Sequence, residues 1–159
     1  MQSFEATITR ATGADVAALA PLFDAYRMFF THRDRIDESL RFLADRFARE
    51  ETVVFMGWSD GSALGFVQLY PLWSSWYCRR IWFLSDLYVK ESARKHGLGQ
   101  RLVGRVKVHA EETNASSVMV ELPHVEPHLA AFYAKLGFHR DDVFDLARYV
   151  VKHTPDTVG

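Results

Sequence analysis

The sequence predicts an α/β protein of the α+β kind: a mixed, mostly antiparallel sheet with one parallel strand pair, flanked by about four helices. Three observations carry this. Apolar residues recur at helical spacing from Val16 to Phe47. β-rich runs then follow one another through short turns from residue 52 to residue 89. A strand–helix–strand succession comes after them, and its long crossover requires a parallel pair.

The elements justify themselves in order. Thr7, Ile8 and Thr9 read as a short first strand. Thr12 followed by Asp15 has the spacing of a capping box, in which each side chain satisfies an orphaned backbone N–H at a helix start. Val16, Leu19, Phe23, Tyr26 and Phe30 then form one apolar stripe. A second helix fits residues 37–50, with Ile36, Leu40, Leu43 and Phe47 facing inward. Runs 52–58 and 63–70 are β-rich and meet through Ser59, Asp60, Gly61 and Ser62, whose Asp-Gly pair suits a tight hairpin.

Run 80–89 is apolar on both alternating faces, with Ile81, Phe83, Leu87 and Val89 against Trp82, Leu84 and Tyr88. That pattern predicts a central strand covered on both sides. Residues 97–113 read as a helix through Leu98, Leu102, Val103, Val106 and Ala110, and 117–121 as the strand that completes the crossover. Pro127 suits a first helical position, and Gly137 suits a left-handed cap. Residues 138–152 read as one or two closing strands with Asp141 and Asp142 at a turn. One domain is expected over 1–153, followed by a flexible tail at 154–159.

Composition narrows the function. With 159 residues, 48% of them hydrophobic, the chain can bury a sizeable core. A net charge of −1 offers no overall basic field for nucleic acid or an anionic membrane, so any anionic ligand must meet a local cluster. Cys78 is the single cysteine, which rules out an intrachain disulfide and a cysteine-rich zinc site. Residues 1–5 lack the basic start and apolar run of a signal peptide, and no stretch approaches the roughly 20 apolar residues that span a bilayer. A reducing cytoplasm is the expected setting.

The chemistry concentrates between Asp86 and Leu102. A buried strand ending in Leu87, Tyr88 and Val89 passes through a polar loop into a helix whose first turn holds Gly97, Leu98, Gly99 and Gln100. Glycines let an anion approach the backbone, and first-turn N–H groups at the positive end of the helix dipole suit a phosphate. Arg94, Lys95 and Arg101 add cationic side chains, with His96 between them. Two glycines alone also fit a plain loop-to-helix turn. A dinucleotide fingerprint is missing its third glycine, since Leu102 stands there, and no Gly-Lys-Ser/Thr ending makes a nucleoside-triphosphate loop.

Arg94-Lys95-His96-Gly97-Leu98-Gly99, following a strand that ends in Val89, resembles the pyrophosphate-binding motif of the GCN5-related N-acetyltransferase (GNAT) superfamily. The run Ala130-Ala131-Phe132-Tyr133-Ala134-Lys135-Leu136-Gly137-Phe138 resembles a second hallmark of that superfamily, at the expected distance. Together the two motifs extend the resemblance over nearly the whole chain. Tyr26-Arg27 and Gln68-Leu69-Tyr70-Pro71 are similar to a bacterial Hpa2-like branch.

The resemblance implies a GNAT fold, acetyl-CoA as cosubstrate, an amine acceptor and a possible homodimer. It implies that the strand before the phosphate loop carries a bulge and splays from its parallel neighbour, and that pantetheine pairs with Leu87, Tyr88 and Val89. An N–H near Leu87 then polarises the thioester carbonyl. Backbone N–H groups from Lys95 to Gln100 hold the pyrophosphate. Tyr133 matches a tyrosine that protonates the departing thiolate, although its spacing with Leu129, Phe132 and Leu136 equally fits a core residue. Relatives carry asparagine where Glu126 stands, and a carboxylate cannot donate as an amide does, so Glu126 is expected to cap its helix instead.

Attack requires a neutral amine. An alkylamine of pKa about 10.4 costs roughly 3.4 units at pH 7, or about 4.6 kcal/mol, whereas a thiol of pKa near 8.5 leaves with little help. The base therefore matters more than the acid, and Asp86 and Glu121 are its two candidates. Tyr70, Trp73, Trp76, Tyr77 and Trp82 fit packing or, with Tyr26 and Phe30, an acceptor pocket. His124 and His128 read as surface residues, because Pro127 lies between them and no HExxH pattern exists. The leading expectation is transfer of acetyl to a small or peptide amine in a ternary complex; the alternative is a catalytically weak module that senses acyl-CoA.

Overall fold

One capping box and one hairpin turn set the elements out in the computed structural model, which describes residues 4–152. The expected tail at 154–159 lies outside the described residues. After strand β1 (Thr7–Arg10), the Thr12 N–H donates to Asp15 Oδ2 at 2.8 Å, and Thr12 Oγ1 accepts from the Ala14 N–H. This box opens a short 3-10 turn that runs straight into α1 (Val16–Thr31), and α2 (Ile36–Ala48) follows. Strands β2 (Val53–Ser59) and β3 (Ser62–Ser74) join at Asp60 and Gly61, with φ of 48° and 73° as a hairpin with two left-handed residues requires. Strand β4 (Arg79–Val89), α3 (Leu98–Glu112), β5 (Ser117–Val120) and α4 (Pro127–Lys135) complete the described elements.

The five strands lie in the order β1-β2-β3-β4-β5, antiparallel except for β4 with β5. Helices cover both faces. Val54, Met56 and Phe66 pack under Leu19, Leu22 and Phe23 of α1 and Leu43 of α2. Val53, Phe55, Val67, Leu69, Trp82 and Leu84 pack under Leu98, Leu102, Val103 and Val106 of α3, joined by Tyr133 of α4. Each such fully buried side chain contributes about 1.5–3 kcal/mol. The stripes read from periodicity are thus the faces that bury, apart from their ends at Phe30 and Ile36, which are 65% and 38% exposed.

Two features depart from the sequence expectation. Strict alternation puts Leu87 and Val89 opposite Trp82 and Leu84, yet all four belong to the α3 side of the sheet. The cause is a bulge: Gln68 pairs with Asp86 but its neighbour Leu69 pairs with Leu84, so Ser85 is an extra residue that flips the parity of everything after it. The second departure is 138–152, where no strand forms. Asp141 does make the expected turn, its Oδ1 accepting from the Val143 and Phe144 N–H groups at 2.8 Å each. Beyond it the chain has no strand partner among the described residues, with Leu146 70% and Tyr149 90% exposed. β-propensity needs a partner ladder before it becomes a strand.

Candidate active site

Unequal strand lengths open a gap in the sheet. β5 pairs with residues 81–84 of β4 only, whereas β4 continues beside β3 to Val89. From Ser85 to Val89 one backbone edge is therefore left without a strand partner among the described residues. Gly65 makes the other edge tight: a Cβ there would stand 2.7 Å from the Tyr88 carbonyl oxygen. The splay and the bulge expected from the resemblance are both present.

Asp86 lies at this gap, 8% exposed, on the face covered by α1 and α2. Burial pushes its carboxyl up to about 6, tempered by hydrogen bonds with Ser85 and Tyr26. Tyr26 comes from α1 and directs its hydroxyl to the Ser85 carbonyl at 3.3 Å, with the Asp86 carboxylate in reach of the same proton. Tyr70 from β3 and Tyr133 from α4 share this neighbourhood. Burial first, and the Asp86 charge second, push the Tyr26, Tyr70 and Tyr133 phenols well above their ordinary values.

Tyr133 owes its position to the end of α4. Phe138 N–H donates to Tyr133 O at 3.0 Å and Gly137 N–H to Ala134 O at 3.1 Å, the paired bonds of a Schellman cap. Gly137 takes the left-handed φ of 91° that this cap demands, and Phe138 folds back onto the Tyr133 ring at 5.4 Å. Glu126 stands at the other end of α4 but makes no side-chain capping bond, so the capping role expected for it is not realised. Glu121 follows β5 on the other side of the gap. It is half-exposed and ion-paired with Arg148 at 3.1 Å.

The loop after β4 leads to an open helix start. Lys95 and Gly97 are both left-handed, with φ of 65° and 78°, and no side chain caps the first turn formed by Leu98, Gly99 and Gln100. Arg94 Nε donates to the Val89 carbonyl at 2.8 Å and Arg101 Nη2 to the Ala6 carbonyl at 2.7 Å, so two of the expected cations are tethered to backbone. His96 stacks on Phe4 with centroids 4.7 Å apart. A free strand edge and an uncapped helix start, joined by a short loop, fit an extended amide-bearing arm that ends in a diphosphate.

The aromatic run divides. Tyr70 joins the Asp86 cluster; Trp73, Trp76 and Tyr77 are exposed about the tip of the β3–β4 hairpin; Trp82 is buried under α3, its Nε1 donating to Thr113 Oγ1 at 2.8 Å. A groove beside Trp73, Arg80, Trp82 and Thr113 lies at the opposite end of β4 and holds no carboxylate. Two members of the cluster were not singled out as site residues. Sequence reading reaches Tyr26 as part of a helical stripe and of an acceptor pocket, and both Tyr26 and Gln68 as parts of the Hpa2-like resemblance, without giving either a role beside Asp86. Among the described residues no three His, Cys, Asp or Glu side chains group to hold a metal ion, and no helix is long and apolar enough to cross a membrane.

Residues 19–138 match the model of the acetyltransferase (GNAT) family. The chain is 34% identical over 137 residues to the uncharacterized N-acetyltransferase YhfO of Bacillus subtilis (strain 168), covering 86% of this chain and 92% of that one. It is 30% identical over 83 residues, 52% of each protein, to the D-amino-acid N-acetyltransferase HPA3 of Saccharomyces cerevisiae. The crystal structure of a probable acetyltransferase matches with a TM-score of 0.86 at 33% identity, covering 92% of this chain and 99% of the other.

Proposed function

The chain belongs to the acetyltransferase (GNAT) family and is an N-acetyltransferase; from that premise we propose that it moves acetyl directly from acetyl-CoA to a primary amine, both bound at once. The observation that carries this reading is a buried carboxyl of pKa about 6 beside the unpaired end of β4.

Bound acetyl-CoA supplies the activated acetyl thioester. Leu87, Tyr88 and Val89 offer it their free backbone edge, and an N–H near Leu87 donates to the thioester carbonyl. The N–H groups from Lys95 through His96, Gly97, Leu98, Gly99 and Gln100 hold the pyrophosphate, flanked by Arg94 and Arg101. Asp86 is the base. With a pKa about 6 it is ionised at neutral pH yet close enough to that pH to take and release a proton. Glu121, occupied by Arg148, stands at the rim of the amine entrance. Tyr133 keeps its proton at neutral pH and can therefore act only as a donor, where the thiolate departs.

The kinship with HPA3, a D-amino-acid N-acetyltransferase, supports the Hpa2-like branch and, between a small amine and a peptide or protein amine, the small amine as acceptor. The exposed, unpaired Cys78 suits a reducing cytoplasm. The run 143–151, rich in exposed apolar residues and without a strand partner among the described residues, supports a homodimer in which this run from one copy pairs with the open edge of β5 of the other.

Incubating the purified chain with acetyl-CoA and a panel of amines, while following free thiol, tests the transfer. Amine-dependent thiol release is expected. Tight CoA binding by calorimetry with no turnover on any amine would leave a binding module in place of the enzyme, and no CoA affinity would remove the cosubstrate itself.

A further inference from the structure

Gln68 stands on β3 directly across from Asp86, at the last register pair before the bulge. Side chains of such a pair share a face, with Cβ atoms about 4.5–5.5 Å apart. That face is the one beneath α1, because the next pair on the same side, Phe66 with Tyr88, packs there. Gln68 is 0% exposed.

Its amide orientation is set by its neighbours. Thr52 Oγ1 donates its proton to the Leu69 carbonyl at 3.1 Å, so toward Gln68 it can only accept, and it does so from Nε2 at 2.9 Å. The amide oxygen is the remaining end, and it has no hydrogen-bond partner. A buried acceptor without a donor is costly. An ionised Asp86 cannot supply that donor; a protonated one can.

We propose that Gln68 is a positioning residue of the amine site, whose Oε1 accepts a hydrogen bond from Asp86 once Asp86 has taken the acceptor's proton. In that step the ammonium N–H bond breaks, its electron pair stays on nitrogen, and an O–H bond forms on Asp86; nothing is oxidised or reduced. This rests on the reading of Asp86 as base. The other groups facing Asp86 are Ser85 on its own strand, Tyr26 from α1, Tyr70 on β3 and Tyr133 from α4, with Glu121 and Arg148 across the gap and Arg46 of α2 near Tyr70. The phenols stay protonated well above neutral, which leaves Asp86 as the buried member that changes charge near neutral pH.

Gln68 Oε1 stabilises the neutral carboxyl by accepting from it and disfavours the ionised one by facing it with lone pairs. Both effects hold the proton on. The test is the Asp86 titration midpoint, read from its side-chain carboxyl carbon by NMR in the full chain, alongside the pH dependence of kcat/KM. Gln68→Met is expected to lower the midpoint by about one pH unit, with the acidic limb of kcat/KM moving equally. Gln68→Glu sets a second carboxylate opposite and is expected to raise it. Thr52→Val removes the acceptor that fixes the amide, frees Nε2 to turn toward the ionised Asp86 and is expected to lower the midpoint as well.

Wild-type midpoints in both Gln68 variants, shifts in the same direction, or an unchanged midpoint in Thr52→Val overturn the proposal. Should Gln68→Met not fold, an unchanged midpoint in Gln68→Glu overturns it alone. Full activity in Asp86→Asn would sink the base reading instead, while the titrations still judge Gln68 separately.

Discussion

Asp86 has a folded-state pKa of about 6, above the 3.8 of an unburied aspartate, so the native state binds its proton more tightly than the unfolded chain does. The stabilisation this brings is complete below about pH 3.8 and is lost as the pH rises through about 6. At neutral pH the ionised group costs the fold on the order of 2–3 kcal/mol. Asp86→Asn is therefore expected to raise Tm at pH 7.5 and to lose that advantage below about pH 4, while kcat/KM falls by about 100-fold or more; thermal scans across pH and steady-state rates check the two halves. Tyr133→Phe is expected to lower kcat by only about tenfold, because a thiol of pKa near 8.5 needs little help in leaving. Both candidates for the base are legible in the sequence, Glu121 as an acid at a strand end and Asp86 as one just before the splayed segment. What separates them, burial at Asp86 and the Arg148 partner at Glu121, depends on residues distant in sequence.

At the scale of the element, the site is shaped by how β4 and α4 end. Gly65 lets β3 approach the Tyr88 carbonyl, and a methyl group there would meet backbone at 2.7 Å. Gly65→Ala is expected to destabilise by about 1–3 kcal/mol and to weaken CoA binding several-fold by calorimetry, since it displaces the strand edge proposed to take the coenzyme arm. Gly137→Ala strains the left-handed cap of α4 and is expected to cost about 1 kcal/mol, read as a lower Tm. Caps and turns were readable because their chemistry is local: Thr12 with Asp15, Asp60 with Gly61, and Gly137 each act within a few residues. The bulge at Ser85 was not readable from apolar alternation, since Leu84 and Leu87 suit either face. It became an expectation only through the resemblance.

For the whole molecule, the question is what covers residues 143–151. Leu146 and Val150 are 70% and 73% exposed, and their spacing of four would put them on one side of a strand if the run paired with a second copy. The chain is expected to be a dimer by light scattering, and Leu146→Glu with Val150→Glu together to make it a monomer; a wild-type monomer would remove the strand-exchange reading. By itself the sequence determined which stretches become helices and strands up to Lys135 and, apart from β4 beyond its bulge, which faces they bury. Periodicity, capping residues and a glycine-opened helix start are short-range properties, and short-range physics suffices to read them. Only the tertiary structure decided that Asp86 lies beneath α1 among three phenols, that Gln68 stands opposite it with an orphaned carbonyl, and that 138–152 remains unpaired. Burial, cross-strand register and the supply of a partner edge are set by residues far apart in the chain, and no local pattern encodes them.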